Sequence, residues 1–166
     1  GNGFRRRDEP NMRQLLGRHR EDLAGLILRL DWLQGLSREE IVSLKWAQVD
    51  LQAGSLFLED RTIPLEEETA ACLAARQEHE DIDSPYVVVS DIFRRPMRPE
   101  SVSRIARGTL NEEGMPGVQL KDLRRDYFLR QLELHDWTYA VRVSGLSVST
   151  FQACFAGETP HKKRPG

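Results

Sequence analysis

Cysteine is scarce: Cys72 and Cys154 are the only two in 166 residues. Two isolated thiols supply neither a disulfide framework nor the paired spacing of a metal site. The four histidines, His19, His79, His135 and His161, are scattered rather than grouped. The expectation is a chain without metal or cofactor, its cysteines packed as small apolar residues in a reducing cytoplasm. A long apolar run is missing as well. The most hydrophobic stretch, Leu23 to Leu36, is interrupted by Arg29 and Asp31, so nothing approaches the ~20 apolar residues of a membrane span. No signal-peptide pattern opens the chain. Membrane and secreted readings fall away, and the expected location is cytoplasmic.

Excess charge of one sign is the third absence. Lys and Arg total 24 against 26 Asp and Glu, a net charge of −2. That excludes a domain that holds nucleic acid by bulk charge alone. The distribution is uneven, however. The first twenty residues carry Arg5, Arg6, Arg7, Arg13, Arg18 and Arg20 against Asp8 and Glu9, residues 91–130 lean basic, and residues 59–83 are strongly acidic. One face can then meet phosphate while another repels it.

What is present is enough apolar residue, 39% of the chain, for one domain with a real core. Residues 1–10, rich in Gly and Arg and ending in Pro10, read as a linker or arm, residues 11–156 as the core domain, and residues 157–166 as a flexible tail. Leu23, Leu26, Ile27, Leu30 and Leu33 follow helical spacing. Gly35-Leu36 ends that helix and Ser37-Arg38-Glu39-Glu40 opens the next as a capping box. Leu56-Phe57-Leu58 and Thr62-Ile63-Pro64 predict a small hairpin, with Pro64 at an edge or strand end. Residues 66–78 predict a helix with Ala70, Leu73 and Ala74 inward, and Tyr86 to Val89 a short buried strand. Residues 100–111, 121–134, 138–144 and 148–155 predict further helices. The fold class is mainly α with a small β-sheet or hairpin (α+β).

This order of elements, from about Leu15 to Phe155, resembles the catalytic domain of the tyrosine recombinases, or phage integrases. Gly35-Leu36, Glu40-Ile41 and Leu44-Lys45-Trp46 resemble that family's Gly-Leu-Arg-x-x-Glu-Leu block and the Leu-(Arg/Lys)-Trp after it. Val49-Asp50-Leu51 and Gly54 resemble its lead into a hairpin, and Arg61-Thr62-Ile63-Pro64-Leu65 its Arg-Thr-Val-Pro-Leu. Asp122-Leu123-Arg124-Arg125 resembles its His-x-Leu-Arg-His block. Gly145, Val148-Ser149-Thr150 and Gln152 resemble the run before its nucleophile. None of these strings is specific alone; their order and spacing carry the likeness.

The resemblance implies a chemistry in which a tyrosine attacks a DNA phosphate, assisted by two arginines, a hairpin lysine and two histidines. Such chemistry needs an oxygen nucleophile, cations on the phosphoryl oxygens and an acid for the leaving group. Here Ser37 stands at the first arginine's place, with Arg38 beside it. Glu59-Asp60 occupies the hairpin tip where a lysine belongs. Lys121 replaces the first histidine, Arg124 matches the second arginine, Leu146 replaces the second histidine, and Phe155 stands at the nucleophile. Phenylalanine has no oxygen to form the ester.

The expectation is therefore a catalytically inactive relative that retains duplex DNA as its partner and is linked to DNA integration or recombination or their regulation. Arg38, Arg94, Arg95, Arg98, Arg104, Arg107, Lys121, Arg124 and Arg125 are its candidate phosphate contacts. The family's separate N-terminal DNA-gripping domain has no counterpart in the chain, and the Arg-rich start reads as a cut end. One alternative is a protein-interaction module, self-associating or docking a recombinase through Val148, Phe151, Phe155 and the basic tail; the competing role for the two phenylalanines is to complete the core. Another is an active recombinase with displaced residues, using Tyr127 or Tyr139 with Arg38 and Arg124.

Overall fold

The computed structural model describes residues 3–79 and 83–155, so the tail expected over residues 157–166 lies outside the described residues. Its helices are α1 (Glu9–Arg18), α2 (Leu23–Trp32), α3 (Arg38–Ser43), α4 (Glu67–Gln77), α5 (Pro99–Glu112), α6 (Leu120–Leu134), α7 (Trp137–Ser144) and α8 (Val148–Ala153). Between α3 and α4 runs a three-stranded antiparallel sheet, β1 (Val49–Asp50), β2 (Ser55–Phe57) and β3 (Thr62–Pro64), in that spatial order. Leu56 faces Ile63 across the β2–β3 pair. Both are fully buried while Phe57, Thr62 and Pro64 are exposed, the alternation of a one-sided sheet.

Helix α2 is the axis of the molecule, packed against α3, α4, α5 and α6. Almost every residue from Leu23 to Leu36 is buried, Arg29 and Asp31 among them. Arg29 is anchored at the end of α1, donating to the carbonyls of Leu16 (2.8 Å) and His19 (2.6 Å). Trp32 closes the axis. Its indole donates to Asp126 at 2.8 Å, and the guanidinium groups of Arg13 and Arg130 both lie over its ring. A second, smaller cluster of Tyr127, Phe128, Ala140, Val143 and Phe151 joins α6 to α7 and α8.

The capping box at Ser37 is formed: its hydroxyl accepts from the Glu40 N–H (3.1 Å) while the Glu40 carboxylate accepts from the Ser37 N–H (3.0 Å). Three expectations differ from the structure. Residues 5–10 belong to the fold, not to a linker: a 3₁₀ turn (Arg6–Asp8) leads into α1, Phe4 packs edge-on to Trp32 at 5.7 Å, and Arg6 pairs with Glu133. Tyr86 to Val89 form no strand. Lys45 bridges to Tyr86 and Val89 to Pro96 singly, and buried Arg76 donates to the Val87 carbonyl at 2.8 Å in place of a ladder partner. In α4 the buried face is Thr69, Cys72, Leu73 and Arg76, while Ala70 and Ala74 are half-buried. Leu73 is shared by both readings; the Arg76 bond to Val87 turns the inner face around it.

His19 clasps α1 to the end of α5, with Nδ1 2.6 Å from Asp22 Oδ2 and Nε2 2.9 Å from Glu113 Oε2. Burial acts to lower its pKa, but the hydrogen bonds to Asp22 and Glu113 outweigh it and the net shift is upward. A pKa raised on folding stabilises fully below the unfolded histidine's value, about 6.5, and this is lost as pH rises through the folded value. Stability is thus expected to decline over that window, and His19→Gln to flatten the decline. Denaturant titrations at a series of pH values check this; identical profiles for the two proteins would refute it.

Candidate nucleic-acid interface

The N-terminal ends of α3 and α6, the middle of α5 and the end of α8 border an open cleft of about 700 Å³. Three of these edges contribute cations: Arg38 from α3, Arg107 from α5, and Lys121, Arg124 and Arg125 from α6. Helical spacing explains the last three, because residues three and four apart share a face. Glu39 and Asp122 are the acids at its rim, Phe128 and Cys154 also line it, and Asp31 of α2 reaches it from below.

Arg124 is the most constrained of these cations. Its Nε donates to the Gly35 carbonyl (2.8 Å), its Nη2 donates to the Ser144 carbonyl (3.3 Å) and lies 3.8 Å from Glu40, and its guanidinium covers the Phe128 ring at 4.9 Å. Among the described residues nothing engages its Nη1 group. A guanidinium held on two edges with a donor to spare is arranged to meet an oxyanion without reordering. Arg38 donates to Ser103 Oγ at 3.1 Å and Arg125 to the Cys154 carbonyl at 3.3 Å. Lys121 and Arg107 are exposed.

Ser37, Lys121 and Arg124 therefore share one cleft, although Ser37 is occupied as a helix cap. Leu146 and Phe155 do not line it. Leu146 packs in the second apolar cluster, and the Phe155 ring lies against Phe151 (5.0 Å) with the Arg125 guanidinium above it (5.2 Å). Phe151 is fully buried, so it completes the core. Arg104 is exposed on α5, one turn before Arg107, and Arg98 lies 3.8 Å from Glu100. Arg94, at a positive φ of 53°, sits in a different depression with Glu21, Asp22, Arg76 and Asp91, and Arg95 lies near the Phe93 ring.

The displaced-tyrosine arrangement is not assembled. Tyr127 is buried in the second cluster, where burial pushes its hydroxyl pKa upward, and Tyr139 stacks on His135 at 3.9 Å. Neither borders the cleft that holds Arg38 and Arg124. Sequence reasoning missed Asp31 as part of the cleft. A signal was there: a helix apolar on every face must bury any charge it carries.

No family model matches the chain, and no curated protein matches it. Solved structures do. The crystal structure of XerA recombinase superposes with a TM-score of 0.81 at 20% identity, over 100% of this chain and 66% of that one. A Tn1549 transposon integrase in complex with transposon right end DNA gives 0.71 at 12% identity, over 95% of this chain and 62% of that one. A lambda integrase dimer bound to a COC' core site gives 0.67 at 16% identity, over 91% of this chain and 47% of that one. The chain thus spans roughly half to two-thirds of the length of these proteins. At such identities the likeness establishes the fold, which is the catalytic-domain fold of the tyrosine recombinases and integrases.

Proposed function

We propose that this chain grips duplex DNA through the cationic cleft without cutting it. The observation that carries the reading is Arg124, locked by Gly35 and Ser144 with no acceptor on Nη1 among the described residues, in a cleft edged by four further cations. A Tn1549 transposon integrase of the same fold is seen in complex with DNA and a lambda integrase dimer bound to a core site, which supports a phosphate backbone as the anion. Phe155 and Leu146 support the absence of strand cleavage, since one offers no nucleophilic oxygen and the other no proton. Arg104 extends the surface along α5; Arg94 lines a different depression, with Glu21, Asp22, Arg76 and Asp91.

The test is fluorescence anisotropy of a labelled duplex at rising protein concentration, repeated from about 50 to 200 mM salt. Affinity is expected to fall steeply, with a log–log slope of roughly −0.9 for each phosphate neutralised. Lys121→Ala and Arg107→Ala, both exposed, are each expected to reduce that slope by about one while weakening all sequences alike. Arg94→Ala is expected to change neither. Absence of binding at the lowest salt would overturn the proposal, and a covalent adduct with a suicide duplex would overturn its non-cleaving half. A second reading is self-association through α7 and α8, favoured by the exposure of Trp137 and Val148. It predicts a salt-tolerant dimer by analytical ultracentrifugation that Val148→Glu dissociates.

A further inference from the structure

The floor of the cleft holds an acid that a phosphate-gripping site has no evident use for. Asp31 is 1% exposed and lines the cleft, and its Oδ1 atom is shut away from solvent without a hydrogen-bond partner among the described residues. Arg124 and Asp122, both on α6, act on it most directly, while Arg38 and Glu39 on α3 and Arg107 on α5 stand along the same walls. An ionised carboxylate so placed lacks the partners that make a buried charge tolerable.

We propose that Asp31 is a proton-controlled counter-charge beneath Arg124: neutral, it leaves the guanidinium's charge to an oxyanion in the cleft, and ionised, it cancels that charge. The inference rests on the cleft being an anion site. Burial supports it by holding the carboxyl well above the usual carboxylate range, with Arg124 pulling down and Asp122 pushing up. An anion arriving above Asp31 raises the carboxyl's proton affinity further. By reciprocity the proton then strengthens anion binding by the same factor. Binding is therefore at full strength below Asp31's value in the free protein. It weakens as pH rises from that value to the one in the complex, about tenfold for each pKa unit by which binding raises it.

Two measurements test this on the whole chain. The first follows the Asp31 side-chain carboxyl carbon by NMR through a pH titration, with and without sulfate, whose charge stays constant. A raised pKa that sulfate raises again is the expected result. A pKa in the ordinary carboxylate range overturns the inference even if DNA binds. The second measures duplex affinity against pH in the wild type and in Asp31→Asn. The alkaline loss is expected to shrink by about tenfold in the variant. Equal losses in both proteins, with binding retained, overturn the role of Asp31 alone. No binding of duplex or sulfate at any pH overturns this inference and the DNA-gripping reading together.

Discussion

Arg61→Ala is expected to lower stability by about 3 kcal/mol, a fall in Tm of roughly 6–12 °C for a chain of this size. The side chain is almost wholly enclosed. Its two terminal nitrogens grip the Glu40 carboxylate at 2.7 and 3.0 Å, Nη1 also meets Asp60 at 2.9 Å, and Nε donates to the Val143 carbonyl at 2.7 Å. One guanidinium thus pins the start of β3 to α3 on one side and to the end of α7 on the other. Gly145 makes room for it, since a Cβ there would stand 2.3 Å from Nη1. Removing the guanidinium leaves Glu40 half-enclosed without its main partner, the costly way to break a buried pair.

Acid titration supplies a second check on Arg61. Burial alone would raise the Glu40 pKa, but hydrogen bonds from Arg61 and the Ser37 backbone lower it overall. The stability this contributes is present above the unfolded glutamate's value and lost as pH falls through the depressed folded value. Arg61→Ala is expected to lose that acid-side step, and Glu40→Gln added to it to recover part of the stability by removing the orphaned charge. A single variant within about 0.5 kcal/mol of wild type, the range of an ordinary surface change, would show that the clamp contributes nothing.

The second large effect is expected at Gly35. Its φ of +72° lies in the left-handed region, and a Cβ built there would stand 2.3 Å from the Tyr127 ring. Gly35→Ala combines a backbone cost of about 1–2 kcal/mol with an overpacking cost of about 1–3 kcal/mol. The same residue's carbonyl receives Arg124 Nε, so the variant disturbs the proposed anion site as well as the core. Denaturant unfolding is expected to show a loss of about 2–5 kcal/mol, and duplex binding to weaken in whatever fraction remains folded. Unchanged unfolding would mean that Tyr127 moves aside without penalty.

Local signals in the sequence were sufficient wherever neighbours along the chain did the work. The capping box at Ser37, the stop at Gly35-Leu36 and the β2–β3 hairpin depend on residues a few positions apart, and each formed where its spacing placed it. Tyr86 to Val89 shows the opposite case. Its run of valines carries β propensity, but a strand needs a partner with free backbone groups, and Arg76 and single bridges took that place. Phe4 likewise read as part of an arm because its partner, Trp32, lies far along the chain.

The interface divides along the same line. Arg124, Lys121 and Arg125 share a helix, so one periodicity placed them together, and Phe155 and Leu146 were singled out only by the family resemblance. Their convergence with Arg38 and Arg107, the separation of Arg94, the burial of Tyr127 and the presence of Asp31 in the same cleft as Arg124 were decided by packing. By itself, the sequence determined the helices from α2 onward and the hairpin, because these depend on local spacing, and α1 escaped it. Which charges face a common ligand, and which acid keeps its proton, depends on distances between elements far apart in the chain, and only the tertiary structure sets those.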